Sequence, residues 1–131
     1  MEKKFINPAE IHKPTGYTHA VAVDGGRTIF IAGQVGVDQA GQLAGNDLRS
    51  QAQKAAENLI AALKAAGAAP SDIVKLNTYV VNYSRDDYKV IREVRSAIFP
   101  AANPPASTLI GVQALAFEGL LIEMEAIAVV S

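Results

Sequence analysis

The chain has 131 residues, 50% of them hydrophobic and 19% charged, with a formal net charge of −1. That length fits one domain, and the charge balance excludes an electrostatic nucleic-acid binder, which carries a basic patch or stripe. With no cysteine, there is no disulfide framework, thiolate nucleophile or cysteine metal site.

Lys3 and Lys4 are followed by no apolar stretch, and Ile6 to Gly16 is polar with two prolines, so no signal peptide is expected. No window approaches the roughly 18 apolar residues of a membrane span. The expectation is a cytoplasmic protein without a membrane or nucleic-acid partner. Tyr17 to Phe30 reads as a hairpin. Val21 and Val23 alternate with Ala20 and Ala22, Asp24-Gly25-Gly26-Arg27 supplies a turn, and Thr28 to Ala32 returns. Gly33 and Gly36 interrupt the next segment, and Asp38 to Asn46 is a polar loop. Asn46 or Asp47 caps a helix to Ala66, with Leu48, Ala52, Ala55, Leu59, Ala62, Leu63 and Ala66 at helical spacing. Gly67 ends it in a left-handed conformation.

Pro70-Ser71-Asp72 is a turn, and Ile73 to Val81 reads as a strand rich in Val, Thr and Tyr. Ser84 caps a second helix with Asp86 and Asp87 in its first turn. Tyr88, Ile91, Val94 or Arg95, and Ile98 line its inner face, and Pro100 stops it. Thr108 to Leu115 and Leu120 to Val130 complete the sheet. The order is β-β-α-β-α-β-β over one domain, residues 1–131. The class is α+β, a two-layer sandwich of two helices on one mixed sheet. So little charge on so small a domain implies that apolar surface is buried between copies of the chain.

The last strand carries the chemistry. Leu120 to Val130 is apolar enough for burial on both faces, yet holds Glu123 and Glu125. Side chains alternate along a strand, so both glutamates share a face with Leu121 and Ile127. An ionised carboxylate there needs water, a donor or a cation. A wet edge strand supplies the first; a polar pocket or a subunit interface supplies all three. Glu123 is read as a pocket residue.

Other chemistries fail. His12 and His19 are the only histidines and have no ligand-like spacing with carboxylates. No G-x-S-x-G elbow and no phosphate-binding loop is present, so no metal or cofactor is expected. Arg92 and Arg95 can share one helix face with a solvated or an anion-binding role.

Pro14-Thr15-Gly16-Tyr17, Phe30 to Val35, Gln51-Ala52, Asn58-Leu59, Ala66-Gly67, Asp72 to Lys75, Pro105-Ala106-Ser107-Thr108, Gly111-Val112 and Glu123 to Ala128 occur in an order and spacing that resembles the Rid family (reactive intermediate deaminase, also called YjgF or L-PSP). The likeness spans nearly the whole chain. It implies a chorismate-mutase-like fold and a homotrimer with small-molecule clefts between subunits. The implied activity is hydrolysis of an enamine or imine to a carbonyl compound and ammonia. Carried over by position, Tyr17, Ala32 and Gly33 line the cleft, and Glu123 positions or activates the attacking water. The family's carboxylate-gripping arginine falls on Ser107, which cannot replace a bidentate guanidinium. This chain therefore resembles a branch lacking that arginine, and amino-acid-derived imines are poor substrates unless Arg92 or Arg95 reaches the cleft. Ser107 and Thr108 hydroxyls, with the Gly33 amide, are left to bind a neutral carbonyl or imine. Two rival readings are a non-enzymatic small-molecule-binding or regulatory trimer and, ranked last, an endoribonuclease.

Overall fold

Strand β6 (Ile122–Val130) alternates strictly through its first seven residues. Ile122, Met124, Ala126 and Ala128 are at most 4% exposed, while Glu123, Glu125 and Ile127 are half-buried on the other face. The computed structural model describes residues Met1–Ser131 and adds, in chain order, β1 (Glu2–Ile6), β2 (Ala20–Asp24), β3 (Arg27–Val35), α1 (Leu48–Ala65), β4 (Ile73–Val81), α2 (Arg85–Ser96) and β5 (Ala106–Val112). The main sheet runs β3-β6-β4-β5. β6 pairs antiparallel with both β3 and β4, and β4 pairs parallel with β5. The strand with the two glutamates therefore lies inside the sheet and is not a wet edge.

Both helices cover one face. Ala52, Ala56, Leu59 and Leu63 of α1 and Ile91 and Val94 of α2 form one cluster with Ile29, Ile73, Leu76, Val80 and the inward side of β6. Ala52, Ala55 and Ala56 of α1, at most 2% exposed, let the helix lie close on the strands. Asp47 caps α1 by accepting from the Ser50 N–H at 2.9 Å, and the Asp87 carboxylate accepts from the Ser84 N–H at 2.9 Å to open α2. Two amides on α1 grip backbone. Buried Gln51 donates to the Gly45 and Gly119 carbonyls at 3.0 and 2.9 Å and accepts from the Leu121 N–H at 2.8 Å. Asn58 donates to the Val35 and Val37 carbonyls, both at 2.9 Å. Together they fix the end of β3, which runs beside Glu123, and the entry to β6, which carries it.

The two-layer α+β architecture is as the sequence implies, with two differences at the N-terminus. Glu2–Ile6, assigned to no element from the sequence, is a sixth strand added to the five of the expected order, pairing antiparallel with β2 from Glu2↔Asp24 to Ile6↔Ala20. Its five residues alternate between exposed and half-buried, too short and too charged a run to announce itself. The expected β2–β3 hairpin ladder is absent. Gly25 and Gly26 do turn the chain, at φ 78° and 82°, but β2 leaves the main sheet to pair with β1.

One core group lacks a partner. The Thr78 hydroxyl is buried with no hydrogen bond, in a residue 1% exposed. An unsatisfied buried hydroxyl costs about 1–3 kcal/mol. Thr78→Val is expected to raise the melting temperature by several degrees at fixed protein concentration; a fall would mean that the hydroxyl is satisfied.

Candidate functional site

The face of the sheet away from the helices is uncovered within one chain, and its cross-strand rows are set by register. Glu123 stands opposite Val35 on β3 and Tyr79 on β4. Glu125 stands opposite Asn77, which in turn pairs with Thr108 on β5. The β3–β6 register shifts between Ile31 and Gln34. Such a bulge sets two residues of one strand against one of its partner, and it falls at Ala32-Gly33. A Cβ on Gly33 would coincide with the Glu123 side chain, from its Cγ to its carboxylate. Glycine at this position is what leaves room for the carboxylate.

The two glutamates are held differently. Glu125 accepts from the Tyr79 hydroxyl at 2.5 Å and from Asn77 Nδ2 at 3.1 Å. The Tyr79 bond, then the Asn77 bond, hold its carboxyl below the usual glutamate value. The same bond to Glu125, then burial, then the charges of Glu125 and Glu123, push the Tyr79 hydroxyl up. Glu123 takes part in no side-chain hydrogen bond and in none of the ion pairs. One carboxylate is thus fully engaged while its neighbour two residues away, on the same face, is available to a ligand or water.

Because the carboxyl of Glu125 titrates lower in the folded chain, its contribution to stability is present above the ordinary glutamate pKa. It is lost as pH falls through the lowered value. Thermal melts of the wild type and Tyr79→Phe should therefore differ near pH 7 and converge as pH falls below the lowered value, where the carboxylate is protonated. A difference that stays constant over that range would contradict the bond's role.

Gly33→Ala tests the cradle. The three atoms nearest the new methyl all belong to the Glu123 side chain, so that side chain is expected to swing away while the fold persists. Any ligand response that depends on Glu123 should fall about tenfold or more, with the melting temperature little changed. An unaltered response would show that the contact has no bearing on the site.

The remaining candidates are dispersed. Ala32 shares the open face and lines a cavity of about 410 Å³ with Phe30, Lys75, Asn77, Glu125 and Ile127. Thr108 is on that face too, but its Oγ1 takes a hydrogen bond from Lys75 Nζ at 2.7 Å. Ser107 pairs with Leu76, a fully buried core residue, so it points to the helix side. Adjacent strand residues face opposite ways, and Ser107 and Thr108 therefore do not converge on one ligand within a chain, nor does Ser107 approach Glu123. Tyr17 sits outside the β5 edge, where Thr18 bridges to Ala106. Its hydroxyl is 2.7 Å from His12 Nε2. The two histidines, unrelated by spacing in the sequence, come together with ring centroids 5.0 Å apart, and His19 Nε2 meets the His12 carbonyl oxygen at 2.7 Å.

Lys75, Asn77 and Tyr79, which sequence reasoning did not single out, form the polar wall beside the glutamates. Their i, i+2, i+4 spacing on a strand was the available signal. No group of three or more His, Cys, Asp or Glu is placed to hold a metal ion, and no helix is long and apolar enough to cross a membrane.

Two helices on one face of a mixed sheet, with an unengaged carboxylate cradled by a glycine bulge on the other, define the class: an α+β domain of the Rid architecture. The model of the family described as Endoribonuclease L-PSP matches residues 8–130, and the chain belongs to that family, also known as the Rid family. It is 40% identical over 129 residues to the 2-iminobutanoate/2-iminopropanoate deaminase of Rattus norvegicus, covering 97% of this chain and 90% of the relative. A crystal structure of the Rid-family protein YyfB from Yersinia pestis superposes with a TM-score of 0.92 at 44% identity, covering 99% of this chain and 100% of that one. The structure of Escherichia coli TdcF with bound serine matches with a TM-score of 0.71 at 31% identity, covering 92% and 91%.

Proposed function

We propose that this chain hydrolyses an imine or enamine to a carbonyl compound and ammonia, in clefts between the subunits of a homotrimer, with Glu123 as the group that holds the attacking water. The observation that carries the reading is the contrast on the open face: Glu125 is bound by Tyr79 and Asn77, whereas Glu123 lies against Gly33 with no partner. Water bound to the Glu123 carboxylate gives up a proton as its oxygen attacks the imine carbon. The nitrogen takes protons, the C–N bond breaks, and ammonia leaves. General-base assistance of this kind contributes about 10²–10⁴-fold. The deaminase named among the relatives supports the reaction class, and the serine held by TdcF supports a small-molecule ligand.

The exposed area supports the assembly. A monomer of 13.8 kDa is expected to expose about 6,600 Å², and this chain exposes 7630 Å². Only 22 residues are buried although half the sequence is hydrophobic. Phe30, 76% exposed, and Ile110, 44% exposed, both stand on the open face beside the glutamates, so a neighbouring copy covering that face would enclose Glu123.

The test has two arms. Imines are generated in situ, carboxylated ones by an amino-acid oxidase and neutral ones by an amine oxidase. Ammonia release is then compared with the spontaneous rate, and light scattering gives the mass. Acceleration in at least one arm by a trimer is expected. A stable monomer at micromolar concentration would contradict the assembly. Ligand binding without acceleration in either arm would replace the enzyme with a binding trimer.

A further inference from the structure

One row of the open sheet face crosses four strands at Glu123. Val35 on β3 and Tyr79 on β4 stand opposite it, and Ile110 on β5 stands opposite Tyr79. Directly opposite residues of an antiparallel pair have Cβ atoms about 4.5–5.5 Å apart, so Glu123 and Tyr79 start as close neighbours. Their side chains then part. The Glu123 carboxylate lies toward β3, in the space that a side chain on Gly33 would fill. The Tyr79 hydroxyl turns along the sheet to Glu125, 2.5 Å away. It makes no hydrogen bond to Glu123, yet the charge of Glu123 acts on it. The gap between carboxylate and phenol is thus wider than a hydrogen bond and narrow enough for charge to be felt across it, as a small planar group would require.

Tyr79 is set up for one kind of partner. A phenol has a single proton to donate, and Tyr79 commits it to the Glu125 carboxylate. Its oxygen is left to accept. Donating to a carboxylate also makes that oxygen a stronger acceptor, because linked hydrogen bonds polarise one another. The bonds from Tyr79 and Asn77 hold the Glu125 carboxyl below the usual glutamate value, which keeps the negative charge behind the phenol. Cations of the chain do not cancel it. Lys75 stands two rows away, opposite Ile127, and is bonded to Thr108 at 2.7 Å. Arg92 and Arg95 belong to α2 and line a cavity on the helix side.

We propose that Tyr79 binds the nitrogen end of the substrate: its oxygen accepts from the N–H of a protonated imine while Glu123 holds water at the carbon. This rests on the reading of Glu123 given above and deepens it, since it selects a cationic imine that keeps an N–H. Small apolar substituents lie along Val35 and Ile110, which close the row on either side. As the water oxygen bonds to carbon, Glu123 takes a water proton and the C=N π pair moves to nitrogen. The nitrogen takes that proton from Glu123. The C–N bond then breaks as the hydroxyl of the adduct returns a proton to Glu123, giving the carbonyl compound and ammonia. No proton leaves Tyr79, which keeps its bond to Glu125 throughout.

The test keeps binding apart from turnover. Acetamidinium, a stable planar cation with N–H donors on a trigonal carbon, is titrated into the full chain labelled with nitrogen-15. Acetamide is the neutral control of the same shape. Acetamidinium is expected to give saturable shifts at the amides of Gly33, Tyr79 and Glu123 and to bind about tenfold or more tighter than acetamide. Tyr79→Phe should bring the two probes to within about threefold of each other. A general loosening of the sheet would weaken both alike and leave their ratio unchanged. The proposal is overturned if acetamide binds the wild type as tightly, if the shifts lie away from β3, β4 and β6, or if Tyr79→Phe keeps the wild-type preference. That last result, together with loss of ammonia release in Glu123→Gln, would remove Tyr79 and leave the reading of Glu123 standing. A preference lost in Tyr79→Phe with full turnover in Glu123→Gln would uphold the cation site and overturn the role of Glu123. Should Tyr79→Phe fail to fold, the wild-type preference and shift map decide the outcome.

Discussion

Glu123→Gln is expected to lower imine hydrolysis by about 10²–10⁴-fold while leaving mass and melting temperature unchanged. The amide has nearly the shape of the carboxylate, so it fits the space beside Gly33. It carries no charge and cannot take a proton from water. The rest of the fold does not depend on the carboxylate, which holds no hydrogen bond or ion pair within the chain. Glu125→Gln should behave differently. It weakens the bonds from Tyr79 and Asn77 and so affects stability before chemistry. Equal losses of turnover in the two variants would mean that the two carboxylates act as a unit, contrary to the division of roles proposed for them.

Gln51→Leu is expected to destabilise the domain by about 3 kcal/mol or more, since it leaves three part-buried backbone groups without their partner. At this chain length that is a fall of about 10 °C or more in melting temperature, measured at fixed protein concentration. The Gly45 and Gly119 carbonyls and the Leu121 N–H all turn to this one side chain, which is fully buried. Leucine keeps the volume and supplies no hydrogen bond. Because Leu121 leads directly into β6, loosening it also disturbs the setting of Glu123. A change of only a degree or two would show that water or neighbouring groups satisfy these atoms.

The core and its helices were legible because each obeys a simple local rule. The alternation in β6 put Ile122, Met124, Ala126 and Ala128 inward and both glutamates outward, as found. The helix caps at Asp47 and Ser84 were marked by residues whose side chains or neighbours satisfy free N–H groups. Pairing partners were not legible. Glycines at 25 and 26 announce a turn, but nothing local states that β2 then pairs with β1 instead of β3. The interior place of β6 is likewise a long-range fact.

The candidate site divides in the same way. Glu123 and Gly33 meet because β3 lies beside β6, an adjacency that no local pattern in the residues states. Ser107 and Thr108 were grouped as neighbours in sequence, yet strand geometry sends them to opposite faces. Tyr79 and Asn77 escaped notice because their role needs β4 next to β6. The pairing of His12 with His19 and Tyr17 depends on the path of an irregular segment, for which no periodicity exists.

Delivery of water to an imine by the unengaged Glu123 carboxylate, as proposed, is tested most directly by ammonia release measured in parallel for wild type, Glu123→Gln and Gly33→Ala, all at equal concentration and confirmed to share one mass. Acceleration over the spontaneous rate is expected for the wild type, its loss in Glu123→Gln, and an intermediate rate in Gly33→Ala, where the carboxylate is present but displaced. Full activity in Glu123→Gln would contradict it and move the chemistry to another group.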